Sequence, residues 1–112
     1  MSEPILHLIS TDDWVAAQSS DQIAPESLAT EGFVHCSTAA QIDGVVERYY
    51  SGRTDMLVLT VDPDALGAAE LKWEAPAHPD GTPNTTAEQY ERYPHVYGAI
   101  PVSAVIRQHP IT

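Results

Sequence analysis

Five histidines are the residues of this chain best suited to chemistry at neutral pH, because imidazole titrates there and also binds metals. His7, His35 and His95 each lie within a short apolar run, whereas His78 and His109 adjoin prolines in stretches typical of the surface. A single buried histidine is equally well explained by a bond to a backbone carbonyl. Three together favour a polar site, since each buried imidazole needs a partner. No HxH, HxxxH or HxxE spacing is present, so no metal site is predicted.

The segment FVHCS predicts which of these side chains share a face. Residues alternate across a strand, so Phe33, His35 and Ser37 project to one side while Val34 and Cys36 project to the other. His35 and Ser37 are therefore candidates for one site. Cys36 is not well placed to use His35 as a base, and we interpret it as a small, inert, buried apolar residue.

A carboxylate and a cation complete the candidates. Glu74 ends the strand-like segment ELKWE, next to a long loop where catalytic carboxylates are often found, although a solvated edge glutamate would look the same. Gln41 and Arg48 are seven residues apart on a predicted helix and share a face. Arg48 could hold a ligand anion or pair with a surface carboxylate such as Glu47.

The elements that must position these residues follow from hydrophobic patterning and capping signals. Strands are predicted at 5–9, 33–37, 56–61, 70–74, 95–97 and 102–107, with 22–25 extended. Ser10 and Thr38 begin capping boxes that predict helices at about 12–19 and 39–50. The first helix should bury Trp14, Val15 and Ala17, and Trp73 should lie in the core. Residues 75–92, rich in Pro, Gly, Asn and Thr, predict a mobile loop that could close over a ligand.

This pattern and the composition indicate one α+β domain over residues 1–112, with a mixed or mainly antiparallel sheet. The formal charge of −11 argues against stable binding to bulk nucleic acid. No apolar run approaches the roughly 18 residues of a membrane span, and the acidic start does not resemble a signal peptide. The single cysteine excludes an internal disulfide. We therefore expect a cytoplasmic monomer or weak dimer.

Five segments carry a family resemblance: EGFVHCSTAAQ, ERYY followed by SGR, LVLTVDPDAL, LKWE and YPHVYGAIPVSAV. In this order they resemble the small bacterial family catalogued as domain of unknown function 952. The family has no established activity to carry over. Its fold looks like that of the ADP-ribosyltransferase superfamily, which includes the NAD-dependent RNA 2′-phosphotransferases. The resemblance implies a split, strongly curved sheet with two helices and a nucleotide-sized cleft.

The same resemblance implies roles for individual residues. By position, His7 would hold the nicotinamide-side ribose and adenosine, and His35 or Ser37 would line the nicotinamide pocket. Glu74 would bond the ribose 2′-OH and favour an oxocarbenium-like transition state. The chain is about half the size of the phosphotransferases and lacks their arginine cluster, which argues against activity on RNA.

Two function hypotheses follow. The first is a small NAD- or nucleotide-dependent transferase in which His7, His35 and Glu74 act in catalysis; its ligand-binding residues would be Ser37, Gln41, Arg48, His95 and Tyr97. The second is a domain that binds a nucleotide or another small metabolite without catalysis. A third interpretation, in which the histidines are only structural, also fits the pattern.

Overall fold

Eight short strands and three α-helices form the part of the chain that the computed structural model describes, residues 3–74 and 92–111. The helices are α1 (Thr11–Ser20), α2 (Glu26–Thr30) and α3 (Ile42–Tyr49). The strands are β1 (Ile5–Ser10), β2 (Gln22–Ile23), β3 (Val34–His35), β4 (Met56–Val61), β5 (Glu70–Glu74), β6 (Tyr93–Tyr97), β7 (Ile100–Pro101) and β8 (Val105–Pro110). None of these helices has the length and apolar character needed to cross a membrane.

The strands pair into three sheets, and every pairing is antiparallel. The sheets have the orders β1-β4-β8, β3-β6-β5 and β2-β7. A reciprocal backbone bridge joins the first to the second: Leu6 N donates to Ser37 O and Ser37 N to Leu6 O, each at 2.7 Å. The α+β class with antiparallel sheets is therefore confirmed, and the bridge brings β1 alongside the chain that leaves β3.

One hydrophobic cluster lies between the elements and fixes the face of each strand. β1 buries every second residue, which places His7 between Ile5 and Ile9 on its inner side. β4, with the sequence MLVLTV, is the central strand between β1 and β8, and it has buried residues on both of its faces. Leu59 and Val61 are fully buried in this cluster.

The helices differ from the prediction of two. The prediction lacks α2, which directly follows the extended segment 22–25. Pro25 is the N-cap of α2, and proline is tolerated at the start of a helix. α1 begins as expected, with Ser10 Oγ accepting from Asp13 N at 3.1 Å. The prediction of its inner face is wrong for Val15, which is 65% exposed, and right for Trp14 and Ala17.

Two further expectations concern β5 and the segment after it. Trp73 is 50% exposed, so its placement in the core is wrong. Trp73 lies near the end of β5, which is an edge strand of its sheet in the part of the chain that the structure describes. The predicted mobile loop lies outside the described residues, apart from Arg92.

Candidate functional site

The pairing of β3 with β6 brings two of the predicted histidines together. In β6, Pro94 and Val96 are buried in the core, and His95 and Tyr97 share the opposite face. The register places His35 directly opposite His95, so both project from the same side of the sheet. Their ring centroids are 5.5 Å apart and their planes meet at 75°.

Glu74, at the end of β5, is held by two side chains of β6. Tyr97 Oη donates to Glu74 Oε1 at 2.6 Å, and His95 Nδ1 lies 3.0 Å from the same oxygen. The Glu74 side chain is 38% exposed, whereas that of His95 is only 3% exposed. A carboxylate is thus fixed in position while part of it stays open to solvent.

The pKa shifts of Glu74, Tyr97 and His95 indicate which of the three side chains is charged at neutral pH. The hydrogen bonds from Tyr97 and then from His95 lower the pKa of Glu74, so the carboxylate is ionised. The bond to Glu74 raises the pKa of Tyr97, which therefore stays a donor. Burial lowers the pKa of His95, although the neighbouring Glu74 opposes the shift. A neutral His95 donates its Nδ1–H to Glu74 and keeps a lone pair on Nε2.

A second histidine–carboxylate pair lies at the start of β3. Gly32 has φ of +90°, a conformation that glycine adopts readily, and it follows Glu31 directly. Glu31 Oε2 then lies 2.8 Å from His35 Nε2. Both side chains are about a third exposed, so this pair is open to solvent.

Phe33 lies between the two pairs and completes a continuous surface. Its ring stacks on His95 with centroids 4.2 Å apart, and it contacts the rings of His35 at 4.8 Å and Tyr97 at 5.3 Å. We call this surface the histidine face; it consists of Glu31, Phe33, His35, Glu74, His95 and Tyr97. Glu31 is not among the site residues that the sequence predicts.

His7 is near the histidine face but lies behind it. The ring is buried, and Nδ1–H donates to the backbone carbonyl of His35 at 2.8 Å. Burial lowers the pKa of His7, so the ring is neutral and its tautomer is set by this bond. This contact matches the structural interpretation of a core histidine that satisfies a carbonyl. That His7, His35 and Ser37 line one concave site stays a prediction.

Ser37 and Cys36 are both buried, next to each other in the chain that leaves β3. The backbone of Ser37 is used in the bridge to Leu6. Cys36 has no disulfide partner, and burial raises the pKa of its thiol. A thiolate is therefore disfavoured, in agreement with the interpretation of Cys36 as a buried apolar residue.

Gln41 is the N-cap of α3, and Arg48 lies seven residues further along the chain; that the two share a face toward a ligand stays a prediction. α3 begins at Ile42, because the capping box between Thr38 and Gln41 closes a turn that precedes the helix. Gln41 Nε2 donates to Arg92 O at 2.7 Å, so Gln41 anchors the chain just before β6. Arg48 is exposed in the last turn of α3 and is not part of the histidine face.

The described residues contain no group of three or more His, Cys, Asp or Glu side chains that could hold a metal ion. The imidazoles of the histidine face are instead paired singly, each with one carboxylate. This arrangement can accept hydrogen bonds from a ligand, present two negative charges to it and offer it an aromatic surface.

Acidification is expected to destabilise the fold through His7 and His95. Burial holds both pKa values below the ordinary 6.5, so the unfolded chain takes up protons that the folded chain excludes. Their contribution is complete above the unfolded pKa and is lost as the pH falls below it. In this range the free energy of unfolding should fall by about 1.4 kcal/mol per pH unit for each proton that only the unfolded chain binds. Urea unfolding of the wild type between about pH 7.5 and 5 measures it.

The variant His7→Asn should reduce this slope, because an amide can keep the hydrogen bond to the His35 carbonyl without titrating. His109→Asn is the matched control, since His109 is exposed on β8. A stability that is constant over the same pH range would contradict the expectation.

The described part of the chain thus combines a small α+β fold of antiparallel sheets with two histidine–carboxylate pairs that are joined by an aromatic ring. The chain belongs to the DUF952 family, described as a protein of unknown function, whose family model matches residues 8–108. None of the functionally curated proteins matches it significantly.

Solved structures of one bacterial protein resemble nearly the whole chain. The crystal structure of protein CC0527 from Caulobacter crescentus has 28% identity and a TM-score of 0.73, and the match covers 96% of this chain and 84% of that one. Its solution NMR structure has 29% identity and a TM-score of 0.69, with coverage of 95% and 82%. The similarity supports the fold, and the names of these structures state no activity.

Proposed function

We propose that the histidine face binds the nicotinamide and ribose end of NAD, and that the protein transfers the ADP-ribosyl group to an acceptor. The observation that carries this proposal is the fixed, ionised and partly exposed carboxylate of Glu74. Two donors hold Oε1 of this carboxylate and so favour one position of the group on the histidine face. It is also a poor proton donor, which suits a role in electrostatic stabilisation better than one as a general acid.

The chemistry of the transfer fits such a group. The bond between the ribose C1′ and the nicotinamide nitrogen breaks, nicotinamide leaves with the electron pair, and an acceptor with an O–H or N–H group attacks C1′ and loses a proton. Positive charge develops on the sugar carbon, where an ionised Glu74 would stabilise it. The ADP-ribosyltransferase resemblance of the sequence gives a carboxylate at this position the same role.

The charge and shape of the histidine face suit one end of NAD. Phe33 and Tyr97 are half-exposed rings beside the carboxylates of Glu31 and Glu74. A positively charged nicotinamide ring is attracted both by aromatic faces and by carboxylates. His95 is buried beneath Phe33 and would act as a positioning residue for Glu74, without touching the ligand.

A second candidate function is binding without transfer, and one observation favours it. The six residues of the histidine face include two carboxylates and no lysine or arginine, so the face itself offers nothing to the diphosphate of NAD. A neutral or cationic metabolite that carries a planar ring would satisfy the same surface. Bulk nucleic acid is not proposed as a partner, because the chain carries a formal charge of −11.

Thermal unfolding with NAD, ADP-ribose, nicotinamide riboside, nucleotides and glutathione tests these functions. A ligand at a hundredfold excess over its Kd should stabilise the protein by about 2.7 kcal/mol. Chromatography of NAD incubated with the protein then detects free nicotinamide, which is expected from a transferase. Stabilisation without nicotinamide release would favour the binding function. If NAD and ADP-ribose neither stabilise the protein nor react, the NAD proposal fails.

A further inference from the structure

Lys72 is the only lysine in the chain and stands at the edge of the histidine face. It lies in the middle of β5, opposite His95 in the strand register, and its side chain is exposed. Nζ is 4.7 Å from the centre of the Tyr97 ring. The ammonium group is thus held against one of the rings that the proposed ligand would contact.

The ammonium group of Lys72 has no carboxylate within 4.0 Å among residues 3–74 and 92–111. Arg53, by contrast, binds both oxygens of Asp55 at 2.7 Å. An exposed contact between an ammonium group and an aromatic ring is weak, and the lysine stem is flexible. Lys72 is also attracted to the carboxylate of Glu74 without forming an ion pair with it, so the ammonium group can leave the Tyr97 ring for a stronger partner.

We propose that Lys72 binds the diphosphate of the ligand, which deepens the proposed function and rests on it. The argument is one of charge. The carboxylates of Glu31 and Glu74 suit the nicotinamide and ribose but repel phosphate oxygens. Lys72 and Glu74 are two residues apart and therefore lie on the same face of β5. A ligand whose sugar contacts Glu74 can thus reach Lys72 with its diphosphate. A lysine ammonium binds phosphate as a compact point charge.

Because the chain has one lysine, acylation of its side chain reports on this site alone. The native protein is treated with a limiting amount of an acetylating ester, and acetylation of Lys72 is followed by mass spectrometry, with the terminal amino group as the internal reference. ADP-ribose, which carries the diphosphate, is expected to slow acetylation of Lys72 by about fivefold or more when it occupies most of the sites. Nicotinamide riboside, which has no phosphate, should protect it far less.

Two variants test the charge directly. Lys72→Met keeps an apolar stem of similar length and should weaken ADP-ribose binding about tenfold, with little effect on nicotinamide riboside, whereas Lys72→Arg should retain binding. Arg107→Met is the matched control, since it makes the same change in net charge at an exposed position on β8. The salt dependence of ADP-ribose binding should also decrease in Lys72→Met alone.

The outcomes separate this inference from the proposed function. If ADP-ribose stabilises the protein but leaves the acetylation of Lys72 unchanged, and Lys72→Met binds it normally, the inference fails and the proposed function stands. Equal protection by nicotinamide riboside would mean that Lys72 is merely covered, and would also overturn the inference. If neither NAD nor ADP-ribose binds the wild type, both fail together.

Discussion

Replacing Glu74 by Gln is expected to slow nicotinamide release from NAD by a factor of about 100 or more, with little change in ADP-ribose affinity. Glutamine keeps a carbonyl oxygen that can accept from both Tyr97 and His95, so the geometry is preserved while the negative charge is lost. The charge matters most in the transition state, when the sugar carbon becomes positive. The loss should therefore appear in kcat and not in binding.

Initial rates of nicotinamide release and isothermal calorimetry with ADP-ribose measure the two quantities. Glu70→Gln is the matched control, because Glu70 lies on the same strand and is exposed, and its replacement removes the same charge. A variant Glu74→Gln that turns over NAD like Glu70→Gln would exclude the transferase mechanism. If it changes only the unfolding temperature, Glu74 has a structural role.

The most regular strands were predictable because their burial is one-sided or complete. The structure places β4 at Met56–Val61 and β5 at Glu70–Glu74, and both agree with the predicted ranges. The two-residue strands β2 and β7 have no periodicity of their own. The sequence predicts 22–25 as extended, but it does not predict that this segment pairs with β7, because that pairing depends on the tertiary fold.

The candidate site was predictable to the extent that it depends on strand alternation. Alternation predicts that His35 and Cys36 project to opposite faces of the strand. In the structure His35 lies opposite His95, and Cys36 is buried in the core. The partners of the histidines were not predictable. Glu31 contacts His35 across a turn in which Gly32 has a positive φ, and Glu74 contacts His95, 21 residues away in sequence, through the pairing of β5 with β6. Such contacts depend on backbone geometry and long-range pairing, which a single sequence does not display.

The largest expected loss of stability is at Gly98, where replacement by Ala should cost about 3 kcal/mol. Gly98 directly follows β6 and has φ of +138°, a conformation that other residues adopt only with strain of about 1 to 3 kcal/mol. A Cβ there would stand 3.0 Å from Cβ and 3.1 Å from Cα of Ala69, which directly precedes β5. Because the second contact is with backbone, it cannot be relieved by a side-chain rotation, and overpacking adds to the strain.

The substitution should also disturb the histidine face. Gly98 and Ala69 adjoin the end of the β5–β6 pair at which Glu70 faces Tyr97, and this strand pair carries Glu74, His95 and Tyr97. Urea unfolding followed by tryptophan fluorescence measures the change. Gly67→Ala is the matched control: its φ of +66° is also positive, but nothing lies within 4 Å of the added Cβ, so only the strain remains. Equal costs for Gly98→Ala and Gly67→Ala would show that the close approach to Ala69 does not constrain the strand pair.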